Sequence, residues 1–362
     1  MIKPLTSLRF IFALMVFATH LFFLKQSTSA VSRTLYNSVF YEGYIGVGFF
    51  FMLSGFILAY NYQDALLKRQ RSIQSFYRAR IARILPLHLL TFIIALPMTY
   101  QIFVQNKSLW LSQALTNITL TQSFIPNQAY FLSFNAVSWS ISDEMFFYLL
   151  FPALVLLIPR LTGFKSYLPI LLIAIIPLLI FVIPDSYWYK VFYIHPFVRI
   201  VDFIIGIGVY NVYKSFSAKG INLNFNVMEV SAVLLLFVFF LFHEHIPQVA
   251  RYSFYYWIPM SYLIFVFAFQ KGNLSRWLSK KTFIYLGELS FGFYMFHYLV
   301  LRYFFVANAK YINIKSDVLI IFIIFAVTLL VSHYSYKYFE TPMNRYVRRL
   351  LSRISMLSCD KA

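Results

Sequence analysis

Hydrophobic residues fall into ten runs separated by short polar intervals. The runs lie near 5–24, 43–62, 84–104, 138–158, 167–183, 197–213, 227–245, 254–270, 283–305 and 317–338. An α-helix needs roughly 17–25 apolar residues to cross the hydrocarbon layer, and the runs are of that order, the fifth, sixth and eighth being short. A chain that hides its backbone polar groups in lipid does so by forming helices. The pattern therefore predicts an all-α integral membrane protein of about ten transmembrane helices. The longest polar interval, about 105–137, is too short to fold alone, so no separate soluble domain is expected. The expected organisation is one transmembrane domain over 1–345 and a short basic cytoplasmic tail over 346–362.

Composition agrees with the pattern. Sixty percent of the 362 residues are hydrophobic and 12% are charged, about half the charged share of a soluble domain. The net charge of +19 does not call for nucleic acid, because cytoplasmic ends of membrane spans collect Lys and Arg. With the N-terminus placed in the cytoplasm, ten spans put 22 of the 31 Lys and Arg on the cytoplasmic side. Among them are Lys3, Lys68, Arg78, Arg160, Lys165, Lys281, Arg348 and Lys361. An odd error in the span count would scramble that asymmetry, so both termini are expected inside. The first run carries Arg9 and His20 and has no small-residue cleavage site after it, so it reads as a retained span. The single cysteine, Cys359, excludes an internal disulfide.

Ionisable residues inside apolar runs are costly and mark functional sites by default. Arg9 and His20 share the first run. Eleven steps of about 100° leave them roughly 20° out of phase, on one helix face, with a rise of about 16 Å between them. His20 lies about four residues from the outer end, and a neutral imidazole is a general base near pH 7. The fourth run opens with Ser138-Trp139-Ser140-Ile141-Ser142-Asp143-Glu144. Glu144 lies about two turns in, at a depth like that of His20, where a carboxylate would fix the histidine tautomer. Asp143, nearer the helix start, suits the helix dipole.

The third run opens with Phe76-Tyr77-Arg78-Ala79-Arg80-Ile81-Ala82-Arg83. Arg80 and Arg83 are neighbours on one helix face, and a guanidinium fork matches phosphate oxygens. Six basic residues between Lys68 and Arg83 exceed what topology needs and point to an anionic cytoplasmic ligand. In the second run Gly43, Gly46, Gly48, Ser54 and Gly55 allow tight helix approach or passage of a thin ligand. Arg199 and Asp202, three apart near the start of the sixth run, can pair. His297 lies in the outer half of the ninth run, while His195, His243 and His245 read as loop or interface residues. No histidine pair has the spacing of a zinc site, so no metal is expected.

Taken together, these stretches resemble one family, the integral-membrane acyltransferase-3 proteins. The resemblance rests on five features in order: Arg9 with ten intervening residues before His20; Gly46-Val47-Gly48-Phe49-Phe50-Phe51-Met52-Leu53-Ser54-Gly55-Phe56; Arg80-x-x-Arg83 before Ile84-Leu85-Pro86; Trp139-Ser140-Ile141-Ser142-Asp143-Glu144 with Phe147-Tyr148; and Leu286-Gly287-Glu288-Leu289-Ser290 running to His297. They span Thr6 to about Tyr338. The resemblance implies transfer of an acyl group, usually acetyl, from cytoplasmic acetyl-CoA to a carbohydrate hydroxyl at or outside the membrane. Acetyl-CoA would be a substrate, with no permanently bound cofactor. It also implies a bacterial inner-membrane location and acceptors such as O-antigen, capsule or lipid-linked sugars.

By that resemblance His20 is catalytic and Arg9, Arg80 and Arg83 serve the donor. From the residues themselves Glu144 is expected to assist His20, Ser54 to lie beside the donor, and Trp139, Ser142, Asp143, Arg199, Asp202 and His297 to support the site. Some members carry an added hydrolase-like domain, so a separate periplasmic partner that handles the acyl group is one expectation here. The polar interval 105–137 is expected to bind sugar. The rival reading is a transporter or flippase of a lipid-linked sugar, which the same charges would suit, though no internal repeat is evident. A third reading, an inert scaffold, gives Arg9, His20 and Glu144 no purpose.

Overall fold

The structure, a computed structural model, describes residues 1–158, 168–220 and 223–359. Arg160, Lys165 and Lys361, counted above in the charge asymmetry, lie outside them. Among the described residues every regular element is helical. Seven segments are long and apolar enough to cross a membrane: Lys3–Gln26, Ala30–Leu67, Ile73–Gln105, Ala136–Leu157, Pro196–Ala218, Lys281–Ile312 and Asp317–Arg353. Three shorter apolar helices, Pro169–Phe181, Phe225–Leu241 and Phe254–Ala268, fall on the remaining runs. The chain is an all-α, multi-pass membrane protein.

The principal helices are α1 (Lys3–Thr19), α2 (Gly46–Leu58), α3 (Ile73–Ala95), α4 (Lys107–Ile118), α5 (Trp139–Leu157), α6 (Leu168–Leu178), α7 (Pro196–Ala218), α8 (Phe225–Leu241), α9 (Trp257–Ala268), α10 (Lys281–Ala307), α11 (Asp317–Ser335) and α12 (Thr341–Cys359). They divide into two compact units, one of Met1–Asp64 with Leu157–Ser290 and one of Ala65–Leu156 with Phe291–Ala362.

In the first unit α2 crosses α7 with backbones almost touching. A Cβ on Gly55 would overlap the Phe203 carbonyl, and one on Gly206 would overlap that of Met52. This is the small-residue contact by which helices approach closely where lipid offers no hydrophobic drive. Phe12 of α1 stacks on Phe49 of α2 at 3.6 Å. Ser7 donates to the Leu278 carbonyl at 2.6 Å. The buried Glu229 of α8 accepts from the Gly272 and Ser275 amides at 3.0 and 3.1 Å, where a short helix start favours an anion.

In the second unit α3 runs against α5. Tyr77 donates to the Leu149 carbonyl at 2.8 Å, and Phe76 stacks on Phe151. Ser140 of α5 and Tyr294 of α10 share a hydrogen bond of 2.7 Å. Phe92, Ala95, Ala114, Phe134 and Leu299 make a common core.

Three expectations change. The first helix ends at Thr19, with His20 as its C-cap, before a 3₁₀ turn over Phe22–Gln26. The interval 105–137 is folded, with several of its polar side chains, Gln113, Asn117, Gln122 and Ser123 among them, buried. Asn117 donates to Ser133 at 2.7 Å, Gln122 to the Ser138 carbonyl at 3.1 Å, and His88 Nε2 meets the Asn117 carbonyl at 2.8 Å. The residues read as a tail are helical as far as Cys359 and belong to α12, which packs on α3 with Arg345, Arg348, Arg349 and Arg353 exposed.

Candidate active-site residues

The first unit holds Arg9, His20, Ser54, Arg199 and Asp202. His20 keeps right-handed helical angles although it caps α1, so its phase with Arg9 is preserved. Both are half-buried. The His20 Nδ1 lies 2.8 Å from the Val16 carbonyl. A carbonyl only accepts, so the neutral ring carries its proton on Nδ1 and presents Nε2 as the basic nitrogen. The capping turn is clamped from outside. Thr19 Oγ1 lies 2.8 Å from the Phe40 and Tyr41 carbonyls, and Tyr36 donates to the Thr19 carbonyl at 2.8 Å. Ser54 is half-buried on α2 beside the Gly55 crossing.

Arg199 and Asp202 make the pair their spacing allows, at 3.0 Å and with both side chains buried. The Asp202 carboxylate also accepts from Trp257 Nε1 at 2.5 Å and from Ser253 at 3.3 Å. A second buried ion pair was not legible in the sequence. Glu42, wholly buried, binds the Arg251 guanidinium and accepts from Tyr256 at 2.9 Å, with His243 Nε2 3.9 Å away. The second run, read as 43–62, stopped one residue short of Glu42, and His243 had read as a loop or interface residue. Helical turns reach back to Ala30 and carry Glu42 inside. His195, taken as a loop residue, caps α7 by accepting from Phe197 N at 3.4 Å, and burial holds its pKa below the ordinary histidine value.

The second unit holds Arg80, Arg83, Trp139, Ser142, Asp143, Glu144 and His297. The two arginines stand eight and eleven residues into α3, about 10–16 Å along it. Both are half-buried. The Arg80 guanidinium lies 5.6 Å from the Tyr148 ring, and Tyr148 donates a short hydrogen bond to Glu144. Arg83 lies over Phe291 of α10 at 5.3 Å. Tyr148 therefore joins Arg80 to Glu144, a role the sequence did not mark. Asp143 is fully buried while Glu144 is half-buried, the reverse of the order expected from distance to the helix start. Ser142 donates to the Leu120 carbonyl at 2.6 Å and shares a bond of 2.7 Å with Ser123. Trp139 and His297 are buried, the His297 Nδ1 3.3 Å from the Phe293 carbonyl.

Imidazole, guanidinium and carboxylate groups held inside apolar helices are costly to keep there and mark functional sites. The chain belongs to the acyltransferase family whose model, described as an acyltransferase domain, matches residues 3–337. Acyltransferase MdmB of Streptomyces mycarofaciens is 31% identical over 326 residues, covering 83% of this chain and 79% of that protein. O-acetyltransferase OatA of Staphylococcus aureus (strain NCTC 8325 / PS 47) is 22% identical over 325 residues, and the chain spans about half of its length, 53%. No solved structure matches. Family membership decides between transferase and transporter in favour of the transferase.

Proposed function

We propose that this O-acyltransferase moves an acetyl group from cytoplasmic acetyl-CoA to a hydroxyl of a cell-surface or exported carbohydrate, in the inner membrane of a bacterium. The observation that carries the reading is the acyltransferase family match over residues 3–337; His20, whose Nδ1 faces the Val16 carbonyl, is assigned as the base through Nε2. Nε2 takes the proton of the acceptor hydroxyl, and the oxygen attacks the thioester carbonyl. The carbon–sulfur bond of the tetrahedral adduct breaks, and the CoA thiolate recovers the proton from the imidazolium. The products are an acetyl ester and free CoA.

Arg9, Arg80 and Arg83 are assigned to the phosphates of the donor, which guanidinium groups hold in bidentate fashion. Ser54 lies on the assigned path of the pantetheine arm. The name of the staphylococcal relative, an O-acetyltransferase, supports transfer to oxygen.

The test uses the full chain in liposomes, with acetyl-CoA and an O-antigen or capsule oligosaccharide. Free CoA and the acetylated sugar are measured. His20→Ala is expected to bring both to background while insertion and folding persist. Full turnover in that variant would refute the assignment.

A further inference from the structure

The last two helices of the second unit form one continuous segment, Asp317–Arg353, of 37 residues. It measures roughly 55 Å along its axis, nearly twice the hydrocarbon layer of about 30 Å. α11 alone, Asp317–Ser335, has 19 residues and takes up about 28 Å. α12 therefore begins where the hydrocarbon ends, on the side read as cytoplasmic. Its departure is fixed by a buried carboxylate in the connecting turn. Glu340 accepts from Ser335 at 3.4 Å, and a Cβ on Gly292 of α10 would stand 2.7 Å from its Oε1.

The lipid-facing side of α11 does not stop at this turn. Phe322, Leu330 and Tyr334 are exposed on α11, and Tyr338 is exposed in the turn. On α12 Tyr346 and Leu350 are 60% and 44% exposed. From Tyr334 the row advances four residues at a time through Tyr338, Pro342, Tyr346 and Leu350, so it keeps near one face. Arg345, Arg349 and Arg353 make a second row at the same spacing. Arg349 follows Tyr346 by three residues, and Arg353 follows Leu350 by three, which sets the two rows side by side. These arginines and Arg348 are all exposed. The far side of the helix is already occupied: Met343, Val347 and Leu351 are half-buried, and α12 packs on α3.

Nothing in the chain answers the charge. No Asp or Glu falls between Thr341 and Cys359. Among the described residues none of the four arginines is in an ion pair. Topology asks for cations at the inner end of a span, but not for a single face that sets them beside exposed tyrosine and leucine. Such a face fits a partner that presents anions and apolar groups in one plane. Free phosphate presents the anions alone. The surface of an anionic bilayer presents both, headgroup phosphates above and acyl chains just below.

We propose that α12 docks on the anionic lipid surface of the leaflet where α11 ends. Tyr346 and Leu350 enter the acyl boundary, and Arg345, Arg348, Arg349 and Arg353 hold lipid phosphates. The test uses the full chain with Cys359→Ser, so that a cysteine introduced by Leu350→Cys is the single labelling site for the fluorophore NBD. Tyr346→Cys is labelled as a second, independent site. The protein is reconstituted in vesicles of phosphatidylcholine, with and without phosphatidylglycerol, and quenching by lipids carrying a nitroxide near the headgroup is recorded.

Blue-shifted emission is expected with phosphatidylglycerol, with quenching at least about twofold stronger than in phosphatidylcholine alone. High salt is expected to remove the excess. Arg345→Gln, Arg348→Gln, Arg349→Gln and Arg353→Gln together are expected to bring quenching to the phosphatidylcholine level, and the four corresponding lysine substitutions to preserve it. The comparison of lipids in the labelled protein alone does not depend on how either set folds. Emission typical of water at both sites in both lipids, or equal quenching in both, would overturn the proposal. So would loss of quenching on adding acetyl-CoA, which would assign the arginines to the donor, and shielding that follows protein density rather than phosphatidylglycerol, which would assign the face to a second copy of the chain.

Discussion

Replacing Arg251 with methionine tests how much the buried pair with Glu42 contributes. Glu42 is 0% exposed, and its carboxylate has the Arg251 guanidinium, the Tyr256 hydroxyl at 2.9 Å and, at 3.9 Å, the His243 ring. Arg251→Met removes the strongest partner and leaves a carboxylate inside the unit with one firm hydrogen bond. Breaking one side of a buried pair costs about 3–5 kcal/mol. That lowers the folded-to-unfolded ratio by roughly two to three and a half orders of magnitude. Replacing both members, Glu42→Gln with Arg251→Met, removes the stranded charge and is expected to recover most of that loss. The assay is SDS titration in mixed micelles, followed by tryptophan fluorescence, for wild type, both single variants and the double variant. The coupling energy comes from the cycle. An Arg251→Met variant no less stable than the double variant would show that the carboxylate is not buried as described. The double variant carries a second expectation. Because Glu42 sits in the turn that clamps Thr19, it is expected to fold yet turn over acetyl-CoA more slowly than wild type.

Two further expectations concern packing and the donor. Gly55→Val places carbon on the Phe203 carbonyl and is expected to destabilise by about 3 kcal/mol or more. Gly208→Ala, with nothing within 4 Å of the new carbon, should leave stability unchanged or raise it by about 0.5–1 kcal/mol; equal melting of the two variants would contradict the α2–α7 crossing. Arg80→Lys keeps the charge but loses the planar group over Tyr148, so KM for acetyl-CoA is expected to rise about tenfold. An unchanged KM would reduce Arg80 to a structural role.

What the sequence could and could not reveal follows from how far apart the partners of each buried charge lie along the chain. Apolar runs are local, and all ten correspond to helices. Pairing at i, i+3 is also local, so Arg199 and Asp202 were legible as a pair and are one. Glu42 finds Arg251 209 residues away, and Glu229 finds two amides 43 and 46 residues away. Hydrophobic periodicity records a residue's neighbours in sequence and is silent about the group that neutralises a buried carboxylate in space. The same blindness hid the fold of 105–137. Its helix α4 carries amides on its buried side, where Gln113 and Asn117 are almost wholly enclosed. A rule that reads amide-rich segments as open loops inverts it. It also misjudged depth at α5, since distance from a helix start ignores what covers the helix. Asp143 is enclosed while the next residue, Glu144, remains half-exposed and takes the Tyr148 hydroxyl. A charge enters an apolar interior only with a partner. The residues that resist reading from sequence are therefore those whose partners come from distant segments.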